Sequence, residues 1–220
     1  MGSTLSIVIP VHNASAWLPE LWSRLEDATG EASELIFVDD GSEDATADLL
    51  RDLAAGESRV HIVSWPRPLG LTVALREGVR AARGNFIVTI DDDLEHPPEE
   101  ISRLVHKLER GADLVYGVPL SHPRTLWRNL ARSFSHHLFF ALTGHPLPRP
   151  FRAFRRELVP ADVPVDVLLD FVLLSRAKSC VQVEVEYHRS YRPKSTHTLF
   201  SLVKLFFTGL RQLSVVRSPA

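Results

Sequence analysis

The 220-residue sequence predicts an α/β fold, in which helices flank a mainly parallel β-sheet. In the first half of the chain, short apolar runs alternate with longer segments whose apolar residues recur at helical spacing. The apolar runs are nearly continuous, as expected of strands that helices cover on both faces. The chain has the length of one domain and contains neither an internal repeat nor a low-complexity linker, so we expect a single domain over residues 1–220.

Five strands are expected in the first half. The first, LSIVIPV, is almost entirely apolar, and the fourth, NFIVTI, leads directly into three aspartates. Runs rich in β-branched and aromatic residues place the five strands at residues 5–11, 34–40, 59–65, 85–90 and 112–118.

Four helices are expected to alternate with these strands. Ser42 suits the N-cap of the second helix, and Gly84 suits the end of the third. Pro97 and Pro98 fit the first turn of the fourth helix, and Gly111 ends it. The helical spacing of apolar residues places these helices at residues 16–28, 42–55, 72–84 and 97–111.

The second half is less regular. Its last segment, with the sequence LFSLVKLFFTGLRQL, predicts an amphipathic C-terminal helix whose charges are all basic. Such a helix either packs in the core or lies on an anionic membrane surface. The whole half predicts a helix at residues 125–144, a loop at 145–150, a helix at 165–177, a strand at 180–188 and the amphipathic helix at 199–213.

Composition limits the compartment in which the protein works. One cysteine excludes a disulfide framework. The N-terminus, MGSTLSIVIPVHN, lacks the basic region of a signal peptide, and no apolar run reaches the roughly 18 residues of a membrane span. We therefore expect a cytoplasmic protein, either free or peripheral on the membrane, and no nucleic-acid partner.

Basic and acidic residues are unevenly distributed, although the net charge is only -2. No acidic residue lies between Leu114 and Arg156, and every charged residue after Glu186 is basic. Such a split suggests one face for a metal ion and another for an anion. The acid-free stretch contains seven arginines: Arg124, Arg128, Arg132, Arg149, Arg152, Arg155 and Arg156.

Carboxylates follow two of the predicted strands. Asp39 and Asp40 end the second strand, and Asp91, Asp92 and Asp93 follow the fourth. If the chain stays extended there, Asp91 and Asp93 face the same side and Asp92 the opposite one. Two converging carboxylates with no cysteine or histidine ligand favour Mg²⁺ or Mn²⁺. The alternatives are a solvated acidic turn and, for Asp39, a turn residue bonded to its own backbone.

Four motifs in this order and spacing make the chain recognisable. The segments IPVHN, FVDDGSEDAT, LGLTVALREGVRAARG and DDDLEHPPE resemble those of family 2 glycosyltransferases, which have the Rossmann-like GT-A fold. The branch that they resemble contains the dolichyl-phosphate mannose synthases and bacterial polyprenyl-phosphate glycosyltransferases. The resemblance continues more loosely into WRNLARSFS, FRAFRREL and HRSYRPKST, and so covers nearly the whole chain.

The resemblance implies a nucleotide-sugar half at residues 1–118 and an acceptor-side half at residues 119–220. Asp40 is expected to contact the nucleotide base, and Asp91 to lie near the ribose and the metal. The nucleotide-sugar site implied by the resemblance consists of Pro10, Val11, His12, Asp39, Asp40, Asp91 and Asp92. The implied ligands of the Mg²⁺ or Mn²⁺ ion are Asp91, Asp93 and Glu95.

The resemblance also assigns roles to basic residues of the second half. Arg124, Arg128 and Arg132 recur every four residues and therefore share one face of the predicted helix. The alternative to phosphate binding is that this face is simply a solvated basic surface. Arginine matches phosphate oxygens through its planar fork. With Asp93, the implied catalytic residues are Arg128, Arg132 and Arg152, and the implied acceptor-phosphate ligands are Arg124, Arg189, Lys194 and Ser195.

The function that the resemblance implies is inverting, metal-dependent transfer of a sugar from a nucleotide-diphosphate donor to a polyprenyl phosphate. Peripheral membrane contact or a membrane partner subunit would then be expected. One alternative is transfer to a hydroxyl, which needs a general base such as Asp166 or Asp170. Others are a non-catalytic nucleotide-binding module and a nucleotidyltransferase.

Four positions depart from the family pattern. Ala14 replaces a common Glu, and Glu95 replaces Gln, which puts the donor preference in question. Pro119 replaces a frequent Arg and Pro193 replaces a Gly, which weakens the inference about the acceptor.

Overall fold

The computed structural model describes residues 5–120, 148–160 and 168–192. Within them lie seven strands and five α-helices. The strands are β1 (Leu5–Val11), β2 (Ser33–Asp39), β3 (Val60–Ser64), β4 (Phe86–Thr89), β5 (Leu114–Pro119), β6 (Arg152–Arg155) and β7 (Cys180–Val185). The helices are α1 (Leu18–Ala28), α2 (Thr46–Gly56), α3 (Leu71–Ala81), α4 (Ile101–Glu109) and α5 (Leu169–Arg176). Short 3₁₀ turns span Pro98–Glu100 and Arg156–Leu158.

All seven strands form one sheet in the order β3-β2-β1-β4-β6-β5-β7. The strand β1 pairs in parallel with β2 and β4, β2 with β3, and β5 with β7. Only β6 runs antiparallel to its neighbours among these strands. The mainly parallel sheet predicted from the sequence is therefore confirmed.

Helices cover both faces of the sheet. Side chains of α1, α2 and α4 pack in one buried cluster with Ile7 and Ile9 of β1. Side chains of α3 and α5 pack in a second cluster with Val8, which points to the opposite face. Both faces of the central strands are thus buried, which explains why their sequences are continuously apolar.

The strand β6 was not predicted from the sequence. Its four residues, RAFR, begin and end with arginine, so they lack the apolar run that marks the other strands. Both arginines bind polar groups of neighbouring segments. Arg155 donates to the carbonyl oxygens of Ala112 and Leu108, and Arg152 forms an ion pair with Asp170. Insertion of β6 separates β4 from β5, which follow each other along the chain.

Two predicted helix ends were wrong. Ser42 does not cap α2, which begins four residues later at Thr46, while Asp44 accepts hydrogen bonds from the Thr46 amide and hydroxyl. Gly84 does not end α3, which stops at Ala81 because Ala82 is already extended, with ψ of 135°; the Gly84 amide donates to the Ser6 hydroxyl of β1.

The other predicted boundaries differ by up to four residues or lie outside the described residues. Gly111, with φ of 100°, follows α4 as expected. The last strand ends at Val185 rather than at residue 188. The helices predicted at residues 125–144 and 199–213 lie outside the described part, as does the start of the one at 165–177. Among the helices that are described, none has both the length and the apolar character needed to cross a membrane.

Gly78 allows α3 to approach the sheet closely. A Cβ atom at this position would lie 2.3 Å from Val8 Cγ1 and 2.8 Å from Val38 Cγ2. We expect Gly78→Ala to lower the free energy of unfolding by about 1–3 kcal/mol, because α3 would have to move off β1 and β2. Urea denaturation measures the change. Gly56→Ala is the matched control, since a Cβ there meets no atom within 4 Å, and an equal loss in both variants would contradict this reading.

Candidate active site

A cavity of about 770 Å³ opens at the carboxyl ends of the parallel strands. Ligands of open α/β sheets bind at this edge. Because β6 is antiparallel, the residues that precede it, Arg149 and Pro150, reach the same edge. The cavity is lined by Pro10, Val11, His12, Asp40, Gly70, Leu71, Ala74, Asp91, Asp92, Asp93, Glu95, His96, Pro119, Arg149, Pro150, Tyr187, Ser190 and Arg192.

His12, which follows β1, has both ring nitrogens engaged. Its Nδ1 lies 2.9 Å from the Asp40 carbonyl oxygen, to which it donates, and its Nε2 lies 3.2 Å from the Asn13 side-chain amide, from which it accepts. This tautomer is assigned from the partners. Asn13 itself adopts φ of 52°, a conformation that asparagine tolerates better than most residues. The exit of β1 therefore presents a fixed ring to the cavity.

Asp40 anchors the segment 67–70 beside the exit of β2. Its carboxylate accepts from the backbone amides of Leu69 at 2.7 Å and Gly70 at 2.9 Å. Gly41 makes the close approach possible, because a Cβ there would lie 2.4 Å from the carbonyl carbon of Arg67. The wall of the cavity formed by Gly70 and Leu71 thus depends on Asp40.

Removal of the Asp40 carboxylate should therefore weaken substrate binding in the cavity more than it slows turnover. For the nucleotide-sugar donor that the family resemblance implies, we expect Asp40→Ala to raise the KM about tenfold or more, because two amides lose a charged acceptor and the wall moves. Steady-state kinetics at saturating acceptor measure the change. Asp48→Ala, at an exposed position of α2, is the matched control. An unchanged KM in Asp40→Ala would show that the segment does not contact the donor.

Asp39 has a different position from Asp40. It is buried, and its Oδ1 accepts from the Ser42 amide at 3.0 Å and from the Ser42 hydroxyl. The carboxylate therefore shapes the turn after β2, and Asp39 is not part of the cavity lining. Its contact with the nucleotide stays a prediction.

The three consecutive aspartates all line the cavity. The chain is not extended here, because β4 ends at Thr89 and a turn follows, so the alternation that placed Asp92 opposite Asp91 and Asp93 loses its basis. Leu94, fully buried, has φ of 60°, a sparsely populated conformation for a branched side chain. The tight turn brings all three aspartates to the cavity.

Asp93 is held by neighbours on both of its oxygens. Its Oδ1 accepts from the Glu95 amide at 3.1 Å, and its Oδ2 accepts from the Ser190 hydroxyl at 2.6 Å. The backbone of the segment 188–192 adds two bonds, from the His188 amide to the Glu95 carbonyl and from the Tyr191 amide to the Asp93 carbonyl, both 2.9 Å. The segment 188–192 is thus fastened directly to residues 91–95, which we call the aspartate turn.

Asp92 forms a buried ion pair with Arg192. The Arg192 Nη2 lies 2.8 and 2.9 Å from the two carboxylate oxygens, and the guanidinium lies over the Trp17 ring at 5.9 Å. Burial raises the pKa of Asp92 to about 7, while the positive charge of Arg192 and the His12 amide oppose that rise. Arg192 was not predicted as a site residue, and Arg189, which was predicted as an acceptor-phosphate ligand, is exposed and lies outside the cavity lining.

His96 is the most buried titratable side chain of the cavity lining, with 2% of its surface exposed. Its ring packs edge-on against Tyr187 at 4.7 Å between centroids and at a tilt against Phe151 at 5.5 Å. Burial lowers its pKa. Nδ1 lies 3.7 Å from Asp91 Oδ2, and no described group forms a hydrogen bond with it. The motif DDDLEHPPE contains this residue, but its spacing gave no reason to select it.

Arg152, predicted as catalytic, is buried in the sheet and does not line the cavity. Its guanidinium pairs with Asp170, which also accepts from the Tyr116 hydroxyl at 2.9 Å. Burial raises the pKa of Tyr116 well above its ordinary value. A direct role of Arg152 toward the donor stays a prediction, whereas Arg149, from the same acid-free stretch, does line the cavity.

Several other predicted residues lie outside the described part of the chain. They are Arg124, Arg128, Arg132, Lys194 and Ser195, together with the alternative base Asp166.

The donor set at the aspartate turn consists of hard oxygen atoms. Asp91, Asp93 and Glu95 contribute carboxylates to the cavity lining. Within the described ranges, no three metal-binding side chains converge into a closed site. Mg²⁺ typically uses one or two carboxylates and completes its shell with water and substrate phosphates, so this incomplete set suits such an ion.

Comparison with known proteins agrees with the geometry. A family model described as "Glycosyl transferase family 2" matches residues 6–162. Proteins named undecaprenyl-phosphate 4-deoxy-4-formamido-L-arabinose transferase are similar to this chain: that of Aeromonas hydrophila is 32% identical and that of Pseudomonas aeruginosa 33%. The matches cover 97% and 96% of this chain, and 71% and 68% of those proteins.

Solved structures show the same fold. The glucosyl-3-phosphoglycerate synthase of Mycobacterium tuberculosis, in complex with Mn²⁺, UDP and phosphoglyceric acid, superposes with a TM-score of 0.66 at 23% identity. The match covers the whole of this chain and 80% of that one. TarS of S. aureus superposes with a TM-score of 0.63 at 14% identity, over 97% of this chain and 65% of that one.

Proposed function

This chain belongs to glycosyl transferase family 2 and is a glycosyltransferase, and from that premise we propose that it transfers a sugar from a nucleotide-diphosphate donor to a polyprenyl phosphate. Relatives about one-third identical over nearly the whole chain are named as transferases that act on undecaprenyl phosphate. The observation that carries the proposal is the cavity itself, in which Asp91 and Asp93 lie with Arg149 and Arg192 at the carboxyl edge of the sheet.

The donor diphosphate is proposed to bind with a divalent cation, either Mg²⁺ or Mn²⁺. Asp91 and Asp93 would hold the ion, with Glu95 beside them, because all three offer oxygen atoms to the cavity and leave room for phosphate oxygens. Such an ion neutralises negative charge that develops on the departing nucleoside diphosphate. The Mn²⁺ and UDP of the mycobacterial synthase are consistent with this proposal.

The chain's own residues bind and orient the two substrates. Asp40 and His12 form the wall where the nucleotide base would lie, next to Pro10 and Val11. Arg149 contributes a positive charge on the acceptor side of the cavity. An acceptor phosphate oxygen would attack the anomeric carbon as its bond to the donor diphosphate breaks, which inverts the configuration and releases the nucleoside diphosphate.

A phosphate acceptor needs no general base, because it is already ionised at neutral pH. The contacts of Asp170 agree with this choice. Its carboxylate is taken up by Arg152 and the Tyr116 hydroxyl, and Asp170 does not line the cavity, so it is poorly placed to deprotonate a hydroxyl acceptor.

Residues from both halves of the sequence line the cavity, which supports a donor-side half at 1–118 and an acceptor-side half at 119–220. Because a polyprenyl chain lies in a bilayer, we also propose that the protein works at the cytoplasmic membrane surface, through peripheral contact or a membrane partner subunit.

The acceptor class is tested by offering the same lipid with and without its phosphate. We expect radiolabelled sugar from a pool of UDP-, GDP- and dTDP-sugars to enter the organic phase with undecaprenyl phosphate in detergent and Mn²⁺, but not with undecaprenol. Labelling of undecaprenol at an equal rate would replace the proposal by a hydroxyl acceptor. Failure of every donor to transfer sugar would contradict it outright.

A further inference from the structure

His96 is a buried polar side chain in the cavity to which the proposed function assigns no role. The side chain is 2% exposed, yet its Nδ1 forms no hydrogen bond within the described part of the chain. Buried polar atoms almost always have a partner, because an unpaired one loses its bonds to water without replacement. A residue needed only to fill this space would more favourably be apolar.

The His96 ring is held by two aromatic neighbours, Phe151 and Tyr187, both of which contact Gly117 of β5. Phe151, just before β6, fits against Gly117 of β5, where a Cβ atom would lie 2.6 Å from the Phe151 ring. Tyr187, after β7, donates its hydroxyl to the Gly117 carbonyl at 3.0 Å and meets the His96 ring edge-on. The direction of Nδ1 is therefore set by packing and not by a hydrogen bond.

Nδ1 points to Asp91. The distance from Nδ1 to Asp91 Oδ2 is 3.7 Å, slightly longer than a hydrogen bond, and both residues line the cavity. A small rotation of the Asp91 carboxylate would close that distance. Hydrogen bonds of this kind are often long in the ligand-free protein and shorten when the site is filled.

We infer that His96 is a positioning residue for Asp91, donating from Nδ1–H to one carboxylate oxygen and thereby turning the other toward the cation. The inference rests on the metal site of the proposed function. Carboxylates that bind metals are commonly fixed by such a partner, and loss of the partner lowers metal affinity by roughly 10- to 100-fold.

Two variants whose side chains are nearly equal in size separate the effect of the hydrogen bond from the effect of packing. His96→Asn keeps an N–H donor near the position of Nδ1, whereas His96→Leu has the same branched shape with no polar atom. Both lose the ring, so any damage to packing is shared. His96→Phe keeps the ring and loses the donor, and it serves as the second test if the smaller variants do not fold.

The experiment measures the affinity for Mn²⁺ in the absence of any substrate, by electron paramagnetic resonance. We expect His96→Leu and His96→Phe to bind Mn²⁺ roughly tenfold or more weakly than wild type, and His96→Asn to retain most of the affinity. His106→Leu, at an exposed position of α4, is the matched control. Wild-type affinity in His96→Leu or His96→Phe, or equal loss in Asn and Leu variants that are folded, would overturn the inference.

The variant Asp91→Asn distinguishes failure of the inferred role of His96 from failure of the proposed metal site. If Asp91→Asn weakens Mn²⁺ binding but the apolar His96 variants do not, the site stands and the role of His96 is wrong. If Asp91→Asn binds Mn²⁺ as tightly as wild type, the metal site of the proposed function is itself contradicted.

Discussion

Asp93→Asn is expected to reduce the rate of sugar transfer by about 10²- to 10³-fold, a loss comparable to removal of one group that stabilises charge in a transition state. The amide is nearly isosteric with the carboxylate, so the turn should survive. It carries no negative charge, however, and binds a divalent cation far more weakly. Initial rates over a range of Mn²⁺ concentrations measure the effect, and raising the Mn²⁺ concentration should recover part of the lost rate because weaker binding is offset by mass action.

Ser190→Ala is the control for Asp93→Asn. It removes the hydroxyl that donates to Asp93 Oδ2 while leaving the carboxylate in place. We expect a much smaller loss, because the charge that is proposed to hold the cation is retained. Full activity of Asp93→Asn without added metal would contradict the metal-dependent account.

Arg192→Met is expected to lower the free energy of unfolding by about 3 kcal/mol at about pH 9, and by less at neutral pH, because Asp92, whose pKa is about 7, is ionised at the higher pH and would be left buried without its partner. The value lies at the low end of the usual range, since 30% of the Arg192 side chain is exposed. Sugar transfer should fall as well, because the pair joins the segment 188–192 to the aspartate turn. Urea denaturation and initial rates measure the two effects.

The double variant Asp92→Asn with Arg192→Met tests the cause of that loss. Removal of both charges should restore part of the stability, since no unpaired carboxylate remains buried. Arg189→Met is the matched control, because Arg189 is exposed and lies outside the cavity lining. If Arg189→Met and Arg192→Met destabilise the protein equally, the ion pair with Asp92 is not the cause.

Local sequence patterns were sufficient for the strands that are buried on both faces. LSIVIPV and ELIFVDD could be predicted as strands because a strand that is buried on both faces needs continuous apolar residues. The strand β6 has no such signal: RAFR becomes a strand only because β4 and β5 pair with it on both sides. Pairing with distant segments is a tertiary effect that a four-residue pattern does not contain.

The same limit applies to the cavity. Asp40, Asp91 and Asp93 could be selected because strand ends place them at the ligand edge of the sheet. Arg192 and His96 could not, because their positions depend on contacts with Asp92 and with the aromatic pair Phe151 and Tyr187. Arg152 illustrates the converse, since its charge is visible in the sequence but its pairing with Asp170 is not.

The most direct test of the central claim is equilibrium binding of nucleoside diphosphates by isothermal titration calorimetry, with UDP, GDP and dTDP each titrated in Mn²⁺ and again in EDTA. We predict that at least one binds in Mn²⁺ and loses roughly tenfold or more of its affinity in EDTA, and that Asp93→Asn causes a similar loss in Mn²⁺. Binding that neither EDTA nor Asp93→Asn weakens would contradict a metal-bridged donor site at the aspartate turn.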